Sequence, residues 1–143
     1  MFLLDTNVVS ELRKSHTRID ANVARWAKSV DPELLYVSAI TILELEIGIL
    51  QIQRRDAAQA ESLRRWMEKQ VLGVFRHRIV AFDWEAALRC AEMHVPDPLP
   101  NRDSIIAATA LVHELTVVTR NLRDFERTGA KLLNPWDERG SDG

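Results

Sequence analysis

The sequence predicts an α/β protein in three layers, with a central parallel sheet of about four to five strands flanked by helices. Three observations predict it. Short apolar runs of strand length (FLL, LLYV, IVAF, TVVT, KLL) alternate with helix-length segments, and that alternation gives parallel strands joined by right-handed crossovers whose helices cover both sheet faces. One helical stretch, IIAATALVHE, is apolar almost all round, which calls for central burial. The chain has 143 residues, 46% hydrophobic and 28% charged, the size and balance of one domain with one substantial core. That domain is expected to span residues 1–136, with 137–143 as a frayed tail.

The elements follow in order. Phe2 to Asp5 reads as a buried strand, after which Thr6 or Asn7 caps a short helix through Leu12. A second helix runs from about Ile19 to Ser29, with Val23, Trp26 and Ala27 at helical spacing, and Pro32 closes it. Leu34 to Val37 is the next strand, and Ser38 is placed to cap the helix from Ile40 to Gln53. That helix carries two apolar arcs: Ile40, Leu43, Ile47 and Leu50 on one side, and Ile42, Leu45, Ile49 and Ile52 on another. It must therefore be covered twice, once by the sheet and once by a neighbouring helix or a second subunit. A homodimer is expected on this ground, one that a charge at Ile42 or Ile49 should disrupt. Asp56 to Val71 forms an amphipathic helix with Glu61 and Arg65 paired across one turn. After Gly73, Ile79 to Phe82 makes a third strand, and Asp83 caps a helix from Trp84 to His94. PDPLP then breaks the chain, because its prolines forbid helix and remove ladder donors. A helix restarts near Asn101, Thr116 to Thr119 is a fourth strand, LRDFERTG is a short helix stopped by Gly129, and Lys131 to Leu133 is a last edge strand.

Composition also excludes. A formal charge of −2 argues against a generally basic nucleic-acid coat, so any RNA or DNA contact must be local. Cys90 is the only cysteine; set among apolar residues at helical spacing, it reads as a buried inert thiol. No apolar run approaches the roughly 18 residues of a membrane span, and the N-terminus lacks the features of a signal peptide, so a cytoplasmic location is expected.

The chemistry lies in four acids. Asp5 closes the first strand and Asp124 follows the fourth, and ligands in open α/β sheets collect outside the carboxyl ends of the strands. Glu44 sits in ITILELEIG and Asp103 in PNRDSIIAATA. Each has a plain structural role open to it: a helix cap worth about 1 kcal/mol for Asp5 and Asp124, and a favourable place in the helix dipole for Asp103. Glu44 lies with Thr41, Gly48 and Gln51 on a narrow polar strip between the two apolar arcs. Glu46 and Gln53 share a second strip, and periodicity does not choose between the two glutamates. Two like charges about 4 Å apart repel by roughly 4 kcal/mol at an effective dielectric near 20, so converging acids need protons or cations. Magnesium or manganese suits oxygen ligands spread over several segments. Zinc does not, since His16, His77, His94 and His113 show no paired ligand spacing.

LLDTNVVSEL, SAITILELEIG, NRDSIIAATA, VTRNLRDF and LLNPW, in this order from Phe2 to about Trp136, together resemble the PIN-domain ribonucleases, specifically the VapC and FitB-like toxins of bacterial toxin-antitoxin pairs. The resemblance implies a PIN-like fold and a catalytic quartet, Asp5, Glu44, Asp103 and Asp124, around magnesium or manganese, with Asp5 and Asp103 holding the metal. In some relatives the fourth acid stands where this chain has Asn121. Glu44 is preferred to Glu46 because the family motif aligns there and because Thr41 and Gly48 let the helix approach closely.

The chemistry so implied is metal-assisted hydrolysis of RNA phosphodiesters. Thr6, Asn7 and Asn121 are candidates for hydrogen bonds that orient the acids or hold substrate. Arg102, Arg120, Arg123 and the run Arg76 to Arg78 are candidates for phosphate contacts, though a solvated loop suits that run better. The implied partners are RNA, a small cognate antitoxin and a second copy of the chain, with a larger toxin-antitoxin assembly built from them. Competing readings are a nuclease for DNA or RNA processing outside such a pair, and a catalytically silent protein-binding module. An aspartyl-nucleophile phosphatase wants a second acid where Asn7 stands, and a phosphoreceiver domain wants a better-placed acid than Asp83.

Overall fold

Five short strands pair in one parallel sheet of order β3-β2-β1-β4-β5 in the computed structural model, which describes residues 1–137. They are β1 (Phe2–Leu4), β2 (Leu35–Ser38), β3 (Ile79–Val80), β4 (Thr116–Val118) and β5 (Leu132–Leu133). The chain steps outward from β1 to β3, then returns to the other side of β1 for β4 and β5. The strand order therefore reverses between β1 and β4, the switch point at which open parallel sheets form their ligand crevice.

Register makes the two faces. Leu4 lies beside Val37 and Val118, while Leu3 lies beside Tyr36 and Val117. Because successive side chains point to opposite sides, the first set enters a core with Val8, Trp26, Ile49, Met67 and Val71. The second enters a core with Ile106, Ala107, Ala110 and Phe125. Strands buried on both faces have no polar side to show, which is why they appear in the sequence as unbroken apolar runs.

The helices are α1 (Thr6–Leu12), α2 (Ala21–Ser29), α3 (Ala39–Gln53), α4 (Ala57–Trp66), α5 (Trp84–Glu92), α6 (Asn101–Val112) and α7 (Leu122–Phe125). Their caps are local and mostly as the sequence predicts: Asp20, Ser38, Asp56 and Asp83 each accept from backbone N–H groups in the first turn. Of the caps open to the first helix in the sequence, it uses Asp5 and not Thr6 or Asn7. Glu11 joins α1 to α2 by accepting from Lys14 Nζ at 2.8 Å and from the Asp20 N–H at 2.9 Å. The bond to Lys14 leads in holding the Glu11 carboxyl below its ordinary value.

Two segments depart from the simple pattern. The expected helix through Val71 is α-helical only to Trp66 and continues as π-helical turns over Met67–Leu72, which bring Met67 and Val71 into the core. Gly73 ends it, since a Cβ there would stand 2.6 Å from the Lys69 carbonyl oxygen. Arg78 of the basic run donates to the Leu35 and Val74 carbonyls, each at 2.8 Å, and also to that of Pro32. It is therefore a strut for the approach to β2. Gly129 stops the turn after α7 with φ of 84°, a conformation that costs glycine little.

The arcs of α3 resolve asymmetrically. Ile42, Leu45, Ile49 and Ile52 join the core, whereas Leu43, Ile47 and Leu50 remain about half exposed at 51%, 45% and 50%. Ile42 and Ile49 are thus not the outward residues that the sequence suggested. Of the expected tail, residues 138–143 lie outside the described residues. Among the described residues no helix is long and apolar enough to cross a membrane.

Candidate active site

Asp5 follows directly from strand pairing. Its N–H donates to the Val118 carbonyl at 2.9 Å, so it continues the β1–β4 ladder by one residue. Its carbonyl accepts from Val8 and Val9, so it also opens α1. A residue shared by a strand end and a helix start at the switch point has little freedom. Its carboxylate is fully buried; Oδ1 accepts from the Thr6 N–H and Oδ2 from the Thr119 hydroxyl, both at 2.8 Å.

Glu44 reaches the same point from α3. Thr6 Oγ1 donates to Glu44 Oε1 at 2.6 Å, with the Thr41 hydroxyl 3.2 Å from that of Thr6. Glu46, two residues on and therefore on a different face, is instead bonded to Arg64 of α4, which holds its carboxyl below the ordinary value. Asp103 comes from the first turn of α6, a helix seated between sheet and α5 because nearly all its sides are apolar.

Arg102 stands in the midst of these acids. Nε donates to Glu44 Oε2 at 2.5 Å, Nη1 to Asp103 Oδ1 at 2.9 Å, and Nη2 to Asp5 Oδ1. Burial works against its charge, but the hydrogen bonds and charges of Glu44 and Asp5 outweigh that and raise its pKa above the ordinary value. Three carboxylates against one guanidinium leave a formal excess of two negative charges, which Asp124 increases. Burial raises the Asp103 carboxyl above its ordinary range; Arg102 opposes, while the charges of Asp124 and Asp5 add to the rise. Asp124 itself is exposed on α7.

The remaining predicted residues form the rim. Asn7 reaches Thr119 Oγ1 with its amide at 3.5 Å and accepts from the Arg120 N–H at 3.4 Å. The Asn121 N–H donates to Thr119 Oγ1 at 3.0 Å, and the Asn121 side chain is exposed. Arg120 lays its guanidinium over Trp136 at 5.1 Å. Arg102, expected at a substrate phosphate, is in this structure spent on the acids.

Three contributors were not singled out in the sequence. Thr119 follows β4 as Asp5 follows β1, and its buried hydroxyl ties Asp5, Asn7 and Asn121 together; its place after a strand was the available signal. His94 and Ser104 hold the start of α6. His94 Nδ1 accepts from the Leu99 N–H at 3.3 Å, so Nε2 carries the proton and donates to Ser104 Oγ at 3.0 Å; Ser104 in turn donates to the Asn101 carbonyl at 2.9 Å. No spacing in the sequence announces this link, because it depends on how PDPLP folds back.

The donor set fits a hard divalent cation. Asp5 Oδ1 and Asp103 Oδ1 bond to the same guanidinium, so two carboxylate oxygens converge on one small volume. Among the described residues no group of three or more His, Cys, Asp or Glu side chains is drawn together as a metal cage. Magnesium does not need one, since it binds through one or two carboxylates and keeps its waters for substrate phosphates to replace.

Comparison with known proteins agrees with this architecture. The PIN domain profile matches residues 2–131. The chain is 34% identical to the VapC ribonuclease Y4jK of Sinorhizobium fredii, over 96% of this chain and 99% of that protein. It is 33% identical to the toxin FitB of Neisseria gonorrhoeae, over 96% of this chain and all of that protein. The crystal structure of FitAcB from Neisseria gonorrhoeae superposes with a TM-score of 0.86 at 33% identity, covering 95% of this chain and 99% of the other.

Proposed function

The chain belongs to the PIN-domain family, and on that premise we propose that it is a magnesium- or manganese-dependent endoribonuclease acting as the toxin of a toxin-antitoxin pair. The observation that carries the reading is the meeting of Asp5, Glu44 and Asp103, from three distant segments, on one point at the switch of the sheet. Nothing in helix capping alone requires that convergence. The ribonuclease and toxin names of relatives matching almost the whole chain support the same class of reaction.

Asp5 and Asp103 would hold the metal. A divalent ion there supplies Lewis acidity toward a phosphoryl oxygen and lowers the pKa of a water. The chain's own residues supply position. Asp5 is locked by Thr6 and Thr119 and cannot turn away. Glu44, with Oε1 held by Thr6, directs Oε2 to the crevice, where it meets Arg102 in this structure and, with that side chain withdrawn, could take a proton from an attacking water. Asp124 stands at the exposed rim, the remaining member of the quartet. Arg120, braced on Trp136 beside Asn7, is placed to meet a neighbouring phosphate. The acids read a phosphate rather than a base, so sequence selection must come from the rim.

Two partners complete the proposal. A small antitoxin would cover the acid crevice, and the solved FitAcB assembly supports a partner of that kind. A second copy would cover the uncovered arc Leu43, Ile47 and Leu50. The test is cleavage of structured and unstructured RNA by the purified chain with Mg²⁺ or Mn²⁺ against chelator. Asp5→Asn and Asp103→Asn should abolish cleavage while leaving the fold intact, and full cleavage by both would refute the proposal.

A further inference from the structure

We infer that Arg102 is a built-in, displaceable counter-cation of the acid centre, one that occupies the place a divalent ion needs and must leave before the ion can bind. The inference rests on the metal-dependent reading above. It is carried by the geometry of one side chain. Each of the three guanidinium nitrogens bonds to a different carboxylate, and two of the accepting oxygens, Asp5 Oδ1 and Asp103 Oδ1, are the pair on which a metal would sit.

The other oxygens of Asp5 and Glu44 offer no easy alternative. Asp5 Oδ2 is taken by the Thr119 hydroxyl and Glu44 Oε1 by that of Thr6. A guanidinium stays charged at any accessible pH, so it cannot yield by losing a proton. Sharing the oxygens would set a divalent and a monovalent cation side by side, where they repel. Displacement is the remaining route. It is open, because the Arg102 side chain is one-third exposed and can swing outward without emptying a buried space.

Two consequences follow. The metal-free chain folds with its acids partly neutralised by its own residue, and the apparent metal affinity is the intrinsic affinity multiplied by the fraction of molecules in which Arg102 is out of place. Once displaced, the guanidinium stands at the mouth of the crevice, where a substrate phosphate would arrive.

The test is Mn²⁺ binding to the full chain, by calorimetry and by electron paramagnetic resonance of the free ion, together with thermal unfolding with and without Mn²⁺. Arg102→Gln should bind Mn²⁺ about tenfold more tightly or better, as expected if Arg102 is in place in nine-tenths or more of the molecules. Its metal-free form should melt lower than wild type, and its gain on adding Mn²⁺ should be larger. Arg102→Lys should fall between, because one ammonium cannot span three carboxylates. Arg120→Gln removes a like charge near the crevice without touching the acids and should bind as wild type does. Equal or weaker binding by Arg102→Gln would overturn the inference, as would an equal gain in Arg120→Gln, or an Arg102→Gln protein unfolded even with Mn²⁺. If neither wild type nor variant binds Mn²⁺, the metal-dependent function fails and this inference with it. If both bind equally, only the inference about Arg102 falls.

Discussion

Asp103 shows at the residue scale how a carboxylate proposed to hold metal is opposed by the fold that holds it. Burial raises its pKa above the ordinary 3.8, with the charges of Asp124 and Asp5 adding and Arg102 subtracting. An acid with a raised folded pKa is one whose ionisation the fold resists, so stability is lost as pH rises from the unfolded value through the folded one. Asp103→Asn should therefore melt higher than wild type at about pH 7, and the difference should fade as pH falls below 3.8, where Asp103 becomes protonated in both states. Thermal unfolding across that range checks it; a lower melting point at neutral pH would mean that the lost bond to Arg102 outweighs the relief. The paired glutamates give a sharper contrast. Glu44→Gln should slow cleavage by about two orders of magnitude or more, the usual size of a lost positioning or proton-transfer contribution. Glu46→Gln removes a one-third-exposed ion pair with Arg64 and should change the rate little. Measured single-turnover rates in the reverse order would show that the working face of α3 has been assigned wrongly.

At the scale of the element, α3 carries two different obligations. Ile49 packs into the core beneath the sheet, so Ile49→Ala should cost about 2–4 kcal/mol of stability by denaturant unfolding. Ile47, on the uncovered side, should tolerate a charge without loss of fold, and Ile47→Glu should convert a homodimer to monomer in analytical ultracentrifugation. A monomer produced by Leu88→Glu instead would move the interface to α5, where Trp84 and Leu88 are also exposed, at 71% and 62%. The two arcs were legible in the sequence, but which of them turns inward was not. A helix apolar on two sides points equally well both ways, and only its place between β2 and α4 decides.

For the whole molecule, the decisive fact is the reversal of strand order between β1 and β4. It parts the crossovers on the two sides of Asp5, opening a crevice into which α3 and α6 deliver their acids. A small partner protein that neutralises such a crevice needs only to cover it. Expression is expected to arrest growth, and co-expression of a small antitoxin, expected to be encoded beside this chain, should relieve the arrest, with copurification of the pair accompanying relief. Relief without copurification, or none at all, would count against the antitoxin assignment.

The sequence by itself determined the class of fold and the order of its elements, because strand length, apolar runs, caps such as Ser38 and Asp83, and stops such as Gly129 act over a few neighbouring residues. It also marked Asp5 and Asp124 as strand-end acids, through the same local grammar. Tertiary structure alone decided what those acids meet. The tie from Thr119 to Asp5 depends on the register of β1 beside β4, and the meeting of Glu44 with Thr6, the His94–Ser104 brace and the place of Arg102 depend on the rotation of α3 and α6 against the sheet. That rotation is set by packing between segments dozens of residues apart, and side-chain packing at such separations leaves no periodic trace in the chain.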